Sequence, residues 1–318
     1  MHDVAGLVSI VIPVFNRQEF IGNTILSAVE QSYPDIEIVV VDNDSSDDTW
    51  HIIQEMAVRY PMVRPFKNPR NFGPVRNWVK AVSEARGEYI KILWSDDLMD
   101  PDFISEAVTY MRPDVAFCTS AVEIVKSPTH SRLSLHYTDV PERISTKKYI
   151  EQLLLESSYS FSPGNALFRA RDVRECLEVD IPNKIGSDFS VHAIGNDLLL
   201  LLKVAAKYGL IAHLRRPMNI YVEHEHSISN QSRGGKLALH YLLAKAHFTE
   251  KFRPELVRKL SALIQLELWR RSEAKDFNMR SVSDFFLTGE SIDYWYLSQV
   301  LVKRMGKKLF RVLGYGKN

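Results

Sequence analysis

The stretch Val8-Ser9-Ile10-Val11-Ile12-Pro13-Val14 is almost continuously apolar and rich in β-branched residues. Such a run is typical of a parallel strand that is covered on both faces. Apolar residues recur at helical spacing over 19–31, a second β-branched run covers 36–41, and a second helical pattern covers 49–60. Two strand and helix pairs in succession predict a parallel α/β sheet with right-handed crossovers.

Polar residues follow the predicted strands at the points where the strands end. The segment 15–17 follows the first strand and 42–44 follows the second. A further apolar run, 89–94, stops at two carboxylates, Asp96 and Asp97. Ligands of open parallel sheets bind beyond the carboxyl ends of the strands, so we expect the three clusters to converge on one rim. Adjacent acids can hold a hard cation and thereby favour an anionic ligand; the alternative is a solvated acidic turn.

The composition argues against several classes of protein. The 318 residues are enough for one large domain or for a domain with an appendage. The 40 basic and 39 acidic residues nearly cancel, so no global positive field indicates nucleic acid binding. Cys118 and Cys176 lie far apart in apolar segments, which argues against a disulfide framework and favours a reducing cytoplasm. We expect neither a signal peptide nor a membrane-spanning helix, because no apolar run approaches about 18 residues.

The rest of the chain predicts further elements. Asp100, which precedes Pro101, is predicted to cap a helix over 102–110, and Gly87 to cap the C-terminal end of a helix over 76–85. The other predictions are strands over 63–66 and 115–125, an irregular segment over 126–143, a helix over 149–155, an edge strand over 165–169 and an apolar helix opened by 195–197. From 231 onward the pattern is helical throughout, which predicts two domains, 1–230 and 231–318.

Three common site motifs are absent from the sequence. The first strand runs into Pro13-Val14-Phe15-Asn16-Arg17, without the glycines of the G-x-G-x-x-G dinucleotide motif. The chain also lacks a G-x-x-x-x-G-K-[ST] phosphate loop and a G-x-S-x-G nucleophile elbow. A nucleotide at this rim would therefore be bound by side chains and a cation.

Four segments, VSIVIPVFNR, EIVVVDNDSSDDT, NPRNFGPVRN and GEYIKILWSDD, follow one another in the first hundred residues. With these motifs the sequence resembles the family-2 glycosyltransferases of the GT-A fold, which are inverting enzymes that depend on nucleotide sugars. The resemblance covers 8–126 closely and 160–230 more loosely. It implies an α/β fold with a Rossmann-like, mostly parallel sheet flanked by helices, and it leaves the helical C-terminal extension outside.

The resemblance implies a donor site at the predicted rim. The positions that match the family's nucleotide-binding motifs are Pro13, Phe15, Asn16, Arg17, Asp42, Arg76 and Asp96. Asp42 would hydrogen-bond the base, and Arg76 would lie near the phosphates. Asp96 would face the ribose or the metal, and Asp97 would bind Mn²⁺ or Mg²⁺. The alternatives are a turn-capping role for Asp42 and an exposed helix arginine for Arg76.

The resemblance also implies a general base and a closing segment. Asp197 matches the family's base, which removes a proton from the acceptor hydroxyl; its alternative role is a helix cap. His224 matches the family histidine that reaches the metal or the diphosphate, and His226 is a substitute on the same side of an extended segment.

Three positions depart from the family pattern. Trp94 stands where many members have an acid, Asn196 where they have glutamate, and Val222 where they have arginine. If these changes mark decay of the site, the chain would be a catalytically degenerate, nucleotide-sugar-binding partner subunit of a glycan-assembly complex. A nucleotidyltransferase is a second alternative, but it would need a glycine-rich loop after the first strand.

The segment 294–313 mixes aromatic and aliphatic residues with lysine and arginine, and no acid follows Asp293. Such a helix can lie on an anionic membrane surface; alternatively, its apolar face packs on the catalytic domain or forms a homodimer. We therefore expect transfer of a sugar from a UDP- or dTDP-linked donor to a hydroxyl of a glycan or lipid-linked glycan. The expected setting is bacterial surface polysaccharide synthesis, in the cytoplasm or at the cytoplasmic face of the inner membrane.

Overall fold

The computed structural model describes residues 3–127, 131–156, 159–160, 162–224 and 235–312, except for the side chains of 132 and 305–312. The chain divides into two compact units. The first unit comprises Met1–Ile181 and Asp188–Gln231, and the second comprises Pro182–Ser187 and Ser232–Asn318.

The first unit combines one sheet with flanking helices. Its strands are β1 (Val4–Val14), β2 (Ile36–Asp42), β3 (Val63–Lys67), β4 (Gly87–Ile92), β5 (Leu98–Met99), β6 (Val115–Lys126), β7 (Ser131–His136), β8 (Arg143–Ser145), β9 (Ala166–Arg169) and β10 (Leu210–Glu223). Its helices are α1 (Ile21–Val29), α2 (Thr49–Arg59), α3 (Pro74–Glu84), α4 (Phe103–Thr109), α5 (Thr146–Leu155), α6 (Ala170–Cys176), α7 (Phe189–His192) and α8 (Asn196–Ala205), with a 3₁₀ turn at Pro163–Asn165.

The sheet has the strand order β3-β2-β1-β4-β9-β6-β10-β5, with β7 beside β6 and β8 beside β10. Its first four strands are parallel, and Val8 of β1 lies opposite Ile36 on one side and Tyr89 on the other. Strand β9 runs antiparallel to both neighbours, and β10 runs parallel to β6. The sheet is thus parallel in its N-terminal half and mixed beyond it. The apolar runs of β1 and β2 are buried except for the half-buried Pro13 and Ile36, as expected for strands covered on both faces.

Several local predictions were wrong. The segment 165–169 was expected at a sheet edge, but β9 lies between β4 and β6, and its four residues are accordingly buried. The segment 126–143, predicted to be irregular, contains β7, and β8 begins at its end. The long strand β10 was not predicted.

Gly87 was expected as a helix cap, but α3 ends at Glu84 with Ala85 as its C-cap residue, and Gly87 begins β4. Glycine is needed there because a Cβ atom would lie 2.5 Å from the carbonyl oxygen of Leu7 in β1. Asp102, not Asp100, is the N-cap residue of α4; the carboxylate of Asp100 accepts the backbone N–H of Asp102 at 3.0 Å, within the turn before the helix.

The regular secondary structure of the second unit is helical over its described residues. It contains α9 (Lys236–Phe252), α10 (Val257–Arg270) and α11 (Tyr294–Val312), with 3₁₀ turns at Pro254–Leu256, Ser272–Phe277 and Val282–Phe285. The core of this unit includes Leu239, Phe248, Leu260 and Ile264, all fully buried. Within the part of the chain that the structure describes, every helix is too short or too polar to cross a membrane.

Candidate active site

The carboxyl ends of β1, β2 and β4 meet at one rim, as predicted. The backbone N–H of Asn16, after β1, donates to Ser45 Oγ, after β2, at 2.9 Å. The Nε of Arg17 donates to Asp96 Oδ2, after β4, at 3.3 Å. Strand β10 ends at the same rim, because His224 contacts Asp96. The three predicted polar clusters are therefore brought together, and a fourth strand adds His224 to them.

The segment after β1 is shaped by hydrogen bonds to the segment after β2. The last pair of residues between β1 and β4 is Val11 with Ile92, and Pro13 lies beyond it. The missing N–H of the proline therefore does not interrupt the hydrogen bonds between these two strands. Asn16 adopts a left-handed conformation (φ 50), which asparagine tolerates well, and its Oδ1 accepts Ser46 N–H at 2.9 Å. Phe15 is exposed by 40% and is available to border a ligand.

Asp42 is fully buried at the end of β2. Its carboxylate accepts the Ser45 hydroxyl at 2.5 Å and the Ser45 backbone N–H at 3.1 Å. These bonds close the turn after the strand. In the protein without a ligand, Asp42 therefore has the turn-capping role that was the alternative to base binding. Contact between Asp42 and a nucleotide base remains a prediction.

Asp96 is partnered by two basic side chains. The Nε2 of His224 donates to Asp96 Oδ2 at 2.9 Å, and the imidazole stacks on Phe20 with ring centroids 4.5 Å apart. Burial by itself would raise the pKa of Asp96, but the hydrogen bond from His224 and the charge of Arg17 outweigh it and lower that pKa. Asp96 is therefore held as a carboxylate. Phe20 gave no signal in the sequence, because its contact with His224 joins distant segments.

Asp97 lies in a different environment. Its Oδ1 accepts the backbone N–H of Val222 in β10 at 3.1 Å. Burial and the adjacent charge of Asp96 raise the pKa of Asp97 well above its usual value. Val222 replaces the family arginine, and its backbone, rather than its side chain, orients the acid. A cation beside Asp97 would relieve the repulsion between the two carboxylates.

Sequence reasoning missed Lys91, which is fully buried in β4 below the acid pair. Its Nζ donates to the carbonyl of Gly164 and to Asn219 Oδ1, the latter at 2.6 Å, and lies 4.7 Å from the centroid of the Phe103 ring. Burial lowers the pKa of Lys91 to about 7, against the field of Asp97, which raises it. The available signal was a lysine inside an otherwise apolar strand, since a buried lysine needs partners.

The donor chemistry of the rim suits a hard cation. Asp96 and Asp97 offer carboxylate oxygens, the preferred ligands of Mg²⁺ and Mn²⁺. No group of three or more histidine, cysteine, aspartate or glutamate residues that could hold a metal ion occurs among the described residues. Asp96, Asp97 and His224 therefore do not form a complete protein cage. Sites with few protein ligands fit a cation that is also bound by substrate phosphates.

Trp94 takes the place of an acid in the family pattern. Its indole meets Trp78 edge-on at 5.3 Å, and its Nε1 lies 3.4 Å from Ser162 Oγ. A Cβ atom at Gly164 would lie 2.6 Å from that nitrogen, so glycine is needed for this close approach. The tryptophan therefore packs against the turn Pro163–Asn165 and offers no carboxylate to the site.

Asp197 lies in the first turn of α8, whose N-cap is Gly195. Its Oδ1 accepts the backbone N–H groups of Gly195 at 3.1 Å and Leu198 at 2.8 Å. Asn196, which replaces the family glutamate, is buried and donates to the carbonyl of Glu178 at 2.8 Å. Asp197 thus stabilises the helix start, and its role as a base remains a prediction.

Arg76 and His226 were also predicted at the site. Arg76 is exposed at the start of α3, and its Nη2 lies 3.6 Å from Asp180 Oδ1, so its ion-pair partner is not one of the acids at the rim. Its contact with phosphates remains a prediction. His226 lies outside the described residues.

The family model described as "Glycosyl transferase family 2" matches residues 9–177, more than half of the chain. The chain belongs to this family. The match includes the rim from Pro13 to Asp97, and it confirms the resemblance seen in the motifs. His224 and Asp197 lie beyond the matched residues.

Relatives of this family-2 chain include bacterial glycosyltransferases. It is 31% identical over 134 residues to an uncharacterized glycosyltransferase of Haemophilus influenzae, a match that covers 40% of this chain and 54% of that one. It is 35% identical over 111 residues to the Escherichia coli protein WfaP, named UDP-Glc:alpha-D-GlcNAc-diphosphoundecaprenol beta-1,3-glucosyltransferase. That second match covers 35% of this chain and 43% of WfaP. The chain thus spans about half the length of these curated relatives.

A similar solved structure is that of Staphylococcus aureus TarS in complex with UDP-GlcNAc. The two chains are 16% identical, with a TM-score of 0.59 over 86% of this chain and 89% of the TarS chain. At this identity the likeness concerns the fold. It confirms the predicted α/β fold of the GT-A type.

Proposed function

We propose that the chain is an inverting, metal-dependent glycosyltransferase that moves a sugar from a nucleoside diphosphate to an acceptor hydroxyl. The observation that carries the proposal is the acid pair at the rim. Asp96 is held as a carboxylate by Arg17 and His224, whereas Asp97 has a raised pKa and an orientation set by a backbone N–H. Such a pair favours a divalent cation, and a cation favours a diphosphate.

The donor would lie across the ends of β1, β2 and β4. Phe15, Asn16 and Arg17 with Pro13 would border the nucleotide, Asp42 would bind the base and Arg76 would approach the phosphates. UDP or dTDP is the proposed nucleotide, supported by the UDP-Glc in the name of WfaP. Asp96 and Asp97 would hold Mn²⁺ or Mg²⁺ beside His224. The cation would neutralise charge on the departing diphosphate.

Inversion requires one displacement at the anomeric carbon, so the acceptor hydroxyl must lose its proton to a base. Asp197 is the proposed base. Asp197 lies in the first turn of α8. The side chain of Asn196 holds this turn in place, because its amide donates a hydrogen bond to the backbone carbonyl of Glu178. The helix packs against the turn Pro163–Asn165, which contacts Trp94 two residues before the acid pair.

The proposed acceptor is a glycan or lipid-linked glycan in bacterial surface polysaccharide synthesis, at the cytoplasmic face of the inner membrane. The name of WfaP specifies a diphosphoundecaprenol-linked acceptor, and a Campylobacter jejuni relative, 35% identical over 91 residues, is also named for a PP-undecaprenol acceptor. We assign transfer to residues 1–230 and treat 231–318 as a helical extension.

Calorimetric titration of UDP, dTDP, GDP and CDP, each with and without Mn²⁺, tests the donor site. We expect one or two of these diphosphates to bind the wild type in a Mn²⁺-dependent manner. Asp97→Asn should weaken that binding by about 100-fold or more, because a proposed carboxylate ligand of the cation is lost. The amide keeps the volume of the side chain and an oxygen that can accept Val222 N–H.

The matched control is Asp100→Asn, an acid three residues further along the chain, directly after β5. Asp100 caps the turn before α4 and lies 3.5 Å from Arg216, so its replacement should leave nucleotide affinity unchanged. Absence of nucleotide binding by the wild type would overturn the donor-site proposal. Cation-dependent binding of a nucleotide sugar without transfer to any acceptor would favour the partner-subunit alternative.

A further inference from the structure

Helix α11 is exposed over most of its circumference and carries several exposed apolar side chains. Among its described side chains, from Tyr294 to Arg304, Leu297 alone is buried. Trp295 and Val302 are exposed by 72% and 70%. Large apolar side chains on one exposed helix face commonly mark an interaction surface.

The two exposed residues Trp295 and Val302 lie opposite the side of α11 that packs. The packed side contacts α10: Arg304 Nη1 lies 3.2 Å from Glu267 Oε1, and Lys259 Nζ lies 5.6 Å from the centroid of the Tyr296 ring. At about 100° per residue, Trp295 and Val302 lie within about 20° of each other around the helix axis. The same geometry places them on the side opposite Leu297 and Arg304.

The charged residues of α11 all have one sign, with Lys303 about 90° around the helix axis from Trp295 and Val302. No aspartate or glutamate follows Asp293, whereas Lys303, Arg304, Lys307, Lys308 and Arg311 all belong to the same helix. Lys303 and Arg304 are exposed. An exposed tryptophan on a helix whose charges are all positive fits the interface of an anionic bilayer, because the indole prefers the headgroup level and the cations attract lipid phosphates.

A second copy of the chain fits this face less well. Two such helices placed face to face would bring together two helices that are each positively charged, because each has five basic residues and no acid over 294–312. Like charges at an interface oppose association, whereas an anionic surface compensates them. Charge complementarity therefore favours lipid over self-association.

We propose that the exposed face of α11 is a membrane-docking surface, with Trp295 and Val302 entering the headgroup region and Lys303 beside the lipid phosphates. This surface deepens the proposed function and rests on it, because a lipid-linked acceptor is reached from the surface of the bilayer. The surface belongs to the second unit and uses none of the residues assigned to donor binding.

Co-sedimentation of the full chain with lipid vesicles tests the docking surface. One set of vesicles contains equal parts of phosphatidylglycerol and phosphatidylcholine, and the other contains phosphatidylcholine alone. We expect binding to the anionic vesicles, weakened by high salt, and little binding to the neutral ones. Trp295→Ser and Val302→Ser should each lower the partition coefficient, by about tenfold for the tryptophan and less for the valine.

Two matched controls distinguish this face from exposed apolar side chains in general. Trp269→Ser changes a tryptophan of α10 that is exposed by 63%, and Val58→Ser changes a valine of α2 that is exposed by 89%. Neither should alter partitioning. Equal losses in these controls, or no binding of the wild type to anionic vesicles, would overturn the proposal. So would a concentration-dependent dimer that Trp295→Ser dissolves, because a second copy would then cover the face.

Nucleotide calorimetry on the same proteins separates the two proposals. Mn²⁺-dependent nucleotide binding without vesicle binding would refute the docking surface and leave the transferase proposal intact. Vesicle binding by a wild type that binds no nucleotide would support the docking surface and refute the transferase proposal.

Discussion

Replacement of Lys91 by methionine tests the electrostatics beneath the acid pair. The Lys91 ammonium is fully buried and donates to two neutral oxygens, the carbonyl of Gly164 and Asn219 Oδ1. Methionine keeps an unbranched apolar side chain and removes the charge. Because burial of an ammonium disfavours its protonated form, the variant should change how the stability of the protein depends on pH.

The magnitude follows from the lowered pKa of Lys91, about 7 in the folded protein against an ordinary value of 10.5. Between these values the unfolded chain holds a proton that the folded chain has released, so stability rises with pH at about 1.4 kcal/mol per pH unit. From about pH 7 to about pH 9 the gain is on the order of 2 kcal/mol, since the folded lysine is still half protonated at the lower limit.

Lys91→Met should lose this gain. The substitution also changes the pKa of Asp97, which affects the pH dependence of stability in the same direction. Without the positive charge of Lys91, the pKa of Asp97 in the folded protein rises further. A carboxyl group whose pKa is higher in the folded than in the unfolded chain stabilises the fold at low pH, and this stabilisation is lost as the pH increases. The wild type should therefore gain on the order of 2 kcal/mol or more over the variant across this range.

Urea denaturation at the two pH values, followed by tryptophan fluorescence, measures the difference. The matched control is Lys80→Met, at an exposed lysine of α3 that pairs with Glu84 and should behave like the wild type. Lys245, whose pKa burial lowers to about 8, is present in all three proteins and cancels from the comparison. An equal gain in Lys91→Met and the wild type would refute the argument, because Lys91 would then keep its proton in the folded protein.

Two further predictions concern the turn beside Trp94 and the proposed base. Gly164→Ala should cost about 1–3 kcal/mol of stability in urea denaturation, because overpacking forces the new Cβ against the Trp94 indole. Gly209→Ala, where a Cβ meets open space, is its control, and equal costs would contradict the tight packing. Asp197→Asn should bind the donor nucleotide as the wild type does in calorimetry, but lose about 100-fold or more in sugar transfer. Retained transfer would remove Asp197 as the base.

The rim was predictable from the sequence, because its main features are local. Buried parallel strands are long apolar runs, and the polar residues after them must lie at one edge of the sheet once the crossovers are right-handed. The clusters at 15–17, 42–44 and Asp96–Asp97 could thus be located without knowing any contact. The family motifs then added the GT-A fold, which the structural likeness to TarS confirms.

The second half of the sheet was less predictable. Strand β9 has four residues, too few to distinguish a central strand from an edge strand, and its place depends on β4 and β6, which lie far from one another in the chain. Similarly, Gly87 has the spacing of a helix cap, but its requirement for glycine comes from the approach of β1. Neither fact can be obtained from local sequence, because both depend on contacts between distant segments.

By itself, the sequence determined the α/β class, the acid pair at a strand end and the basic, acid-free C-terminal helix, since periodicity and charge are properties of neighbouring residues. The tertiary structure alone decided how the two acids differ. Asp96 meets Arg17 from 79 residues away and His224 from 128 residues away, whereas Asp97 faces β10 and the buried Lys91. Adjacent carboxylates acquire different pKa values because charge and burial act through space.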